Sequence, residues 1–346
     1  MTVRHTLFVR RGRLNSRYDA TTAFNRPFYL NQIRLLKHAS NHRGILKYLE
    51  SLRNNLKRFL NKLNFLVEMI NCDLQLETIV NYLDDYLEIR KIPDKFAKNG
   101  LIVSTDKSIR IKKIAFAVDS NLDTFNLSYE SGANLLVVHH GLFLGNPLEV
   151  TNYDSERIKY LVEHNMSLYG AHIPLDIHPE VGNNAVLAKM IGARKIGSFS
   201  YGLYADIPDK RSLKSIKDIF DKEYEYDSKL ILPKNISDRQ EIENVLISSG
   251  SGESILRHFL NWPNFQYSDF ERRFIPDYLT SDIKKPDLFI TGEQNHMLYS
   301  MAMDYAVPIL FIGHYNSEKG GIEALRVKTE SVFGIETQFI EKNSGL

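Results

Sequence analysis

The chain has little of three things: cysteine, long apolar runs and, over its first seventy residues, acidic side chains. Its single cysteine, Cys72, excludes an internal disulfide and a thiolate zinc cage, and it favours a reducing, cytoplasmic compartment. Apolar runs such as 114–118 and 135–138 reach only about five residues, against the roughly 20 that a membrane-spanning helix needs. The sequence therefore predicts no transmembrane segment, and any metal site must use histidine and carboxylate ligands.

The shortage of acidic residues divides the chain by charge. Residues 1–70 hold 14 Lys and Arg against 3 Asp and Glu, whereas residues 71–346 hold 30 against 39. The formal net charge of +2 therefore hides a basic segment and an acidic one. An acidic surface repels phosphates, so we expect no nucleic-acid binding by the body of the chain and confine any such role to residues 1–70.

Several interpretations of the basic segment stay open. Residues 1–30 are rich in arginine and have no apolar h-region, which fits a mitochondrial-type transit peptide better than a secretory signal. From Ile45 to Ile70, apolar residues recur at alternating spacings of four and three, which predicts a heptad helix with basic flanks. That helix is either a solvated surface or a binding element for a membrane or a phosphate backbone. A start assigned too early, ahead of Met69, is the remaining interpretation.

From residue 76 onward, amphipathic helical segments alternate with short apolar strands. Helices are predicted at 76–87, 121–131, 155–164, 184–191 and 322–327, and strands at 111–118, 134–138, 167–173, 229–231, 244–247 and 308–312. Strand, helix and strand within about 28 residues form a βαβ unit, so the body of the chain is an α/β protein with parallel strands.

Candidate metal ligands follow three of the predicted strands. They are His139 and His140 after the first, His172, Asp176 and His178 within and after the second, and His314 with Glu318 after the third. Active groups in open α/β sheets gather beyond the carboxyl ends of the strands. One such histidine is usually a hydrogen-bonded core residue, but three converging strand ends favour a metal site. Imidazole and carboxylate ligands suit Zn, Fe, Mn, Co or Ni.

A Gly/Ser-rich segment at 249–254 lies between a predicted strand and a helix. It is not a P-loop, because no Gly-Lys-Ser/Thr follows. Two interpretations remain: a tight turn with a serine cap, or a cradle whose backbone N–H groups bind an anion at the helix N-terminus.

Four motifs in order, VVHHGLF, GAHIPLD, TGEQNH and GHYNSE, resemble the NGG-interacting-factor-like dinuclear-metal family, whose members are often labelled GTP cyclohydrolase 1 type 2 homologs. The resemblance covers about residues 75–340 and leaves residues 1–70 unmatched. It implies a two-lobed α/β fold with mixed sheets flanked by helices and a toroidal homohexamer, and the heptad pattern adds an N-terminal helical extension. We expect a metal-binding lobe from 71–176 with 300–346, and a second lobe from 177–299.

The resemblance also implies the site residues. Two divalent metal ions would be held by His139, His140, Asp176, His314 and Glu318, and His172 would line the same cleft. Catalytic proton transfer falls to Glu293 and His296. The predicted function is a metal-dependent hydrolase of a nucleotide-like or phosphorylated small molecule. The alternative is a non-catalytic metal-binding protein with a regulatory or interaction role.

Overall fold

The computed structural model describes residues 53, 74–105, 110–145, 150–261 and 284–345, apart from the side chains of residues 195 and 196. The chain divides into two units, Met1–Asn71 and Cys72–Leu346. The predicted transit segment, heptad helix and helical extension belong to the first unit and, apart from residue 53, lie outside the described residues, so they stay predictions. Every element named below belongs to the second unit.

Strands and helices alternate through the described part of this unit, as the periodicity predicts. The strands are β1 (Gly100–Val103), β2 (Lys113–Asp119), β3 (Leu135–His140), β4 (Ser167–Gly170), β5 (Arg194–Phe199), β6 (Gly202–Ser212), β7 (Lys229–Ile231), β8 (Glu241–Ser248), β9 (Leu288–Thr291), β10 (Ile309–Phe311) and β11 (Glu336–Phe339). The helices are α1 (Leu76–Tyr86), α2 (Leu122–Glu130), α3 (Asn152–Glu163), α4 (Ile173–Asp176), α5 (Asn183–Met190), α6 (Leu213–Tyr224), α7 (Glu253–Leu260), α8 (His296–Tyr305) and α9 (His314–Phe333).

The first sheet has the order β1-β4-β3-β2-β11. Strands β2, β3 and β4 run parallel, β11 runs parallel to β2, and β1 is antiparallel to β4. Residues Leu135–His139 of β3 are all buried, which explains the continuous apolar run in the sequence, because a parallel strand covered on both faces has no solvent side. The predicted βαβ unit is therefore confirmed.

The second sheet has the order β5-β6-β8-β9-β10-β7. Its centre, β8, β9 and β10, is parallel, while β5, β6 and β7 join antiparallel. Two clusters of buried apolar side chains pack against it, one including Leu213 and Phe220, the other Phe259 and Phe289. The fold is thus mixed α/β with two mixed sheets flanked by helices, as predicted.

Two details differ from the sequence pattern. The strand predicted at 167–173 ends at Gly170, because the short helix α4 begins at Ile173 and Pro174 in its first turn has no N–H for a sheet ladder. Strand β10 pairs within the second sheet, although the predicted metal-binding lobe resumes at residue 300. The lobe boundaries themselves stay predictions.

Helix α9 connects the two sheets. It begins directly after β10 of the second sheet and packs against β2 of the first, and the chain then enters β11 of that first sheet. In its middle, Gly321 allows α5 to approach, because an added Cβ would collide with the side-chain amide of Asn183. Among the described residues, we find no helix that is both long and apolar enough to cross a bilayer.

Candidate metal centre

His139 and His140 end strand β3 and both face the carboxylate of Glu318. His139 Nε2 lies 3.5 Å from Glu318 Oε1, and His140 Nε2 lies 3.3 Å from Glu318 Oε2. The two rings are tilted by 46°, with centroids 4.6 Å apart. Adjacent residues of a strand thus reach different oxygens of one carboxylate.

Asp176 ends the short helix α4 beside His139. Its Oδ1 lies 3.6 Å from His139 Nε2. The same oxygen accepts hydrogen bonds from Asn183 Nδ2 and Ser249 Oγ, both at 2.8 Å. Asn183 cannot turn its amide over, because its Oδ1 accepts from the backbone N–H of Gly321 at 2.9 Å. The orientation of Asp176 is therefore set from α5, α9 and the loop after β8.

His314 and Glu318 lie one turn apart on α9, on one face, as their spacing predicts. His314 Nε2 is 3.2 Å from Glu318 Oε1. The side chain of Glu318 is only 4% exposed, whereas that of His314 is 32% exposed. The carboxylate is thus buried at the centre of the cluster and His314 closes one side of it.

Among the described residues, potential metal donors form three groups of three, and within each group the donor atoms lie within 4.8 Å of one another. The groups are His139, Asp176 and Glu318; His140, His314 and Glu318; and His139, His140 and His172. The first two contain all five side chains predicted from the sequence and share Glu318. The structure therefore brings the five together from three strand ends.

Electrostatics makes the metal-free cluster a set of ion pairs. Burial opposes ionisation of Glu318, but the facing imidazoles of His140 and His139 hold its pKa well below the usual value. Burial likewise opposes the charge on His140, yet Glu318 and Asp119 raise its pKa to about 10. The pKa of His139 is raised by Asp176 and Glu318 against the same penalty. A bound cation would take the place of these protons.

Two atoms of the cluster show that a metal fits it. His139 Nε2 and Glu318 Oε2 are buried and have no hydrogen-bond partner among the described residues. Leaving such groups unsatisfied costs about 1–3 kcal/mol each, and more for charged ones. Both are good ligands for a divalent cation, so the residues present fit the group that the sequence implies.

The outer ring nitrogens of three histidines are held by oxygen acceptors. His139 Nδ1 lies 2.8 Å from the carbonyl oxygen of Ala171, and His140 Nδ1 lies 2.8 Å from Asp119 Oδ1. His172 Nδ1 lies 2.9 Å from Asp94 Oδ2. In the neutral rings this places the hydrogen on Nδ1 and leaves the Nε2 lone pair for a ligand.

These acceptors are the functional residues that sequence reasoning missed. The sequence marks Asp119 only as a carboxylate at a strand end, although β2 and β3 pair with Asp119 opposite His140. Because consecutive parallel strands end side by side, the ends of β2 and β3 are the signal that could have linked Asp119 to His140. Asp94 precedes His172 by 78 residues in an irregular loop, and no spacing rule connects the two.

Of the two predicted catalytic residues, Glu293 borders the cluster and His296 does not. Glu293 follows β9 and is half-exposed, with Oε2 3.7 Å from His314 Nδ1. His296 begins α8 with an exposed side chain and lines neither of the two cavities described below. Their catalytic roles stay predictions.

The cluster borders two cavities, and His140 and His314 line both. The larger, about 960 Å³, is also lined by Asp119, Arg157 and Glu293. The smaller, about 560 Å³, is also lined by residues His172, Tyr201, Ser249, Ser251 and Arg257.

The Gly/Ser-rich segment is a tight turn against the cluster. Gly250 has φ +57°, and an added Cβ there would collide with Glu318 Oε1. Its backbone N–H donates to Ser317 Oγ at 2.9 Å, and its carbonyl accepts from the backbone N–H of Glu293 at 2.9 Å. The segment is therefore a tight turn that packs two loops and α9 around the carboxylate, as predicted. The predicted serine cap is wrong, because the N-cap residue of α7 is Gly252 and no side chain caps that helix.

Two mixed sheets with a histidine–carboxylate cluster beyond their strands define an α/β protein with a candidate metal centre. The family model Duf34/NIF3 (NGG1p interacting factor 3) matches residues 74–262 and 277–344, and the chain belongs to this family. The resemblance seen in the motifs is thereby confirmed.

Relatives in sequence and a solved structure agree with this family assignment. The chain is 33% identical over 277 residues to the "GTP cyclohydrolase 1 type 2 homolog" of Deinococcus radiodurans, covering 78% of this chain and 94% of the relative. It is 33% identical over 279 residues to the protein of the same name from Pyrococcus abyssi, covering 79% and 100%. The crystal structure of protein TTHA1606 from Thermus thermophilus has a TM-score of 0.65 at 28% identity, covering 79% of this chain and 100% of that one.

Proposed function

We propose that the chain binds two divalent metal ions and is a metal-dependent hydrolase of a nucleotide-like or phosphorylated small molecule. One ion is assigned to His139, Asp176 and Glu318, and the other to His140, His314 and Glu318. The observation that carries this assignment is the buried side chain of Glu318, whose Oε1 faces His139 and His314 and whose Oε2 faces His140. Two three-donor groups that share one carboxylate are what a bridged pair of ions requires.

The donor set supports hydrolysis. Two divalent ions in such a site act as Lewis acids and lower the pKa of water toward neutrality. The protein's own part is to hold Glu318 ionised, to present three Nε2 atoms and to exclude solvent from His139, which is fully buried. Glu293, at the edge of the larger cavity, is assigned to proton transfer with the substrate.

The cavities support a small-molecule substrate. About 960 Å³ lies within the range of roughly 300–1,000 Å³ that ligand pockets occupy. The name of the relatives, GTP cyclohydrolase 1 type 2 homolog, makes nucleotides the first class to test. Arg157 on the cavity wall gives that wall a positive charge for an anionic substrate group, although its guanidinium is paired with Asp154 and donates to Ser120.

The test is metal analysis of the purified full chain, followed by a panel of nucleotides and phosphoesters with the loaded protein. We expect about two equivalents of metal and turnover of at least one compound; His140→Ala should lose the turnover together with the ion assigned to His140 and His314. A loaded protein that leaves the whole panel unchanged would contradict hydrolysis. It would favour the non-catalytic alternative, in which His140→Ala loses the same ion yet leaves a partner complex intact.

The homohexamer and the cytoplasmic location are part of the same proposal. The family resemblance supports the hexamer, and the single cysteine supports a reducing compartment. Light scattering measures the mass directly, and a monomer at micromolar concentration would contradict the hexamer. Fluorescent tagging distinguishes the cytoplasm from the mitochondrion.

A further inference from the structure

His172 is a fourth imidazole beside the centre, and the assignment of two ions leaves it unused. A ring nitrogen of His172 lies within 4.8 Å of the donor atoms of His139 and His140. Its ring centroid is 5.1 Å from that of His139 and 5.8 Å from that of His140. It also lines the smaller cavity. The position is that of a ligand, not of a distant cleft residue.

The buried carboxylate of Asp94 binds Nδ1 of this ring. Its side chain is only 1% exposed, and Oδ2 accepts from His172 Nδ1 at 2.9 Å. The same oxygen accepts from Asn99 Nδ2 at 3.0 Å and from the backbone N–H of Ile173 at 3.3 Å. With Nδ1 bound to Asp94, the nitrogen that His172 has free for a ligand is Nε2.

The pair repeats an arrangement found on an assigned ligand. His140 Nδ1 is held by Asp119 at 2.8 Å, and His172 Nδ1 is held by Asp94 at 2.9 Å. Carboxylate–imidazole pairs of this kind fix the tautomer and orientation of metal-bound histidines. His314, in contrast, has Glu293 Oε2 at 3.7 Å from its Nδ1, beyond hydrogen-bond distance.

We infer that Asp94 is a positioning residue of the metal centre, which orients His172 so that its Nε2 serves as a sixth protein donor beside His139 and His140. This inference rests on the proposed function, since it needs a metal at the centre. It adds a ligand that the family motifs leave outside the set.

A purely structural role for Asp94 makes a different prediction. Its other oxygen, Oδ1, accepts from the backbone N–H groups of Phe96 at 2.8 Å and Ala97 at 3.1 Å and so organises a turn. Asp94→Asn retains one carbonyl oxygen for that turn but replaces the acceptor that faces His172 with an amide donor. The substitution therefore spares the turn at Oδ1 and removes the acceptor that His172 shares with Asn99 and the backbone of Ile173.

The experiment is a double-mutant cycle on metal affinity in the full chain, with Co²⁺ as the probe and its visible absorption as a second readout. We expect Asp94→Asn to weaken binding by about 10–100-fold, as outer-shell partners do, and to change the Co²⁺ spectrum. His172→Gln should weaken it at least as much. Adding Asp94→Asn to His172→Gln should cause no further loss.

Matched variants make the outcomes distinct. Asp119→Asn is the positive control, because Asp119 makes the same contact with His140. Asp221 accepts a hydrogen bond from Ser228 away from the centre, so Asp221→Asn controls for the general loss of a hydrogen-bonded carboxylate. If Asp94→Asn keeps the wild-type Co²⁺ affinity and spectrum while Asp119→Asn binds Co²⁺ more weakly, the inference is overturned but the proposed function is not. Additive losses in the double variant would overturn the inference as well. A wild-type chain that binds no Co²⁺ would overturn the proposed function itself. Should Asp94→Asn fail to fold, unchanged affinity and spectrum in His172→Gln would still refute the sixth donor.

Discussion

The strand half of the centre, His139 and His140, is held far more firmly than the helix half, His314 and Glu318. Both strand histidines have Nδ1 bound to an oxygen at 2.8 Å, and His139 is fully buried. On the helix, Glu318 is buried but His314 is 32% exposed, and the Glu293 oxygen facing its Nδ1 is 3.7 Å away. The difference teaches that the sheet fixes the geometry of its own two ligands, while the helix supplies the shared carboxylate and the most exposed of the five assigned ligands.

Glu318→Gln should have the largest effect, because Glu318 belongs to both assigned groups. We expect the bound metal to fall from about two equivalents to well below one, measured by elemental analysis after dialysis. Glu330→Gln, half-exposed on the same helix and paired with Arg326, is the control. A Glu318→Gln protein with wild-type metal content would show that neither ion depends on the shared carboxylate.

His314→Ala should remove one ion and leave the strand half intact. We expect about half of the metal to be lost, with little change in the unfolding free energy of the metal-free protein because the ring is partly exposed. His296→Ala, on the neighbouring exposed helix start, should keep all of it. Unchanged stoichiometry in His314→Ala would refute the second group.

The pH dependence of the metal-free protein tests the strand half. The pKa of His140 is raised from 6.5 to about 10, so its contribution to stability is complete below about pH 6.5 and is lost as pH rises toward 10. Glu318 has a lowered pKa, so its contribution is present above about pH 4.3 and is lost on further acidification. Urea unfolding between about pH 6 and pH 10 should show declining stability, and the decline should be smaller in His140→Gln. A flat profile would contradict the ion-paired cluster.

Gly250→Ala should have a modest effect on stability and a selective effect on metal binding. Gly250 and Gly132 both have positive φ, +57° and +85°, so each Ala substitution should cost about 1 kcal/mol in urea unfolding from backbone strain, and Gly250→Ala should cost more because its Cβ would also collide with Glu318. Only Gly250 contacts the centre: an added Cβ there would meet His314 Nε2 at 3.4 Å, while Gly132 has nothing within 4 Å. Metal affinity should therefore fall in Gly250→Ala alone, and equal affinity in the two variants would show that Glu318 moves without loss.

The sequence predicts the assigned metal ligands better than the side chains that orient them. The apolar run of β3 ending in two histidines, and the four-residue spacing of His314 and Glu318, are local patterns with a direct physical meaning. Asp94 and Asn183 act through side-chain contacts with residues that no local period relates to them. Such contacts depend on how loops pack, which single-sequence periodicity does not encode.

The same limit applies to the fold. Alternation of strand and helix predicts an α/β body, and the apolar core of β10 predicts a strand at 308–312. Which sheet that strand joins depends on its pairing with β9 and β7, which are separated from it in the sequence by at least one helix. Local hydrophobicity therefore predicts which segments form strands and helices but not which strands pair with each other.

The two glycines in the middle of α9 have a consequence for how the site assembles. Gly321 donates to Asn183, which in turn binds Asp176, while the first turns of the same helix carry His314 and Glu318. One helix thus sets the position of three of the five assigned ligands. Any slip of α9 along its axis would therefore displace all three ligands together.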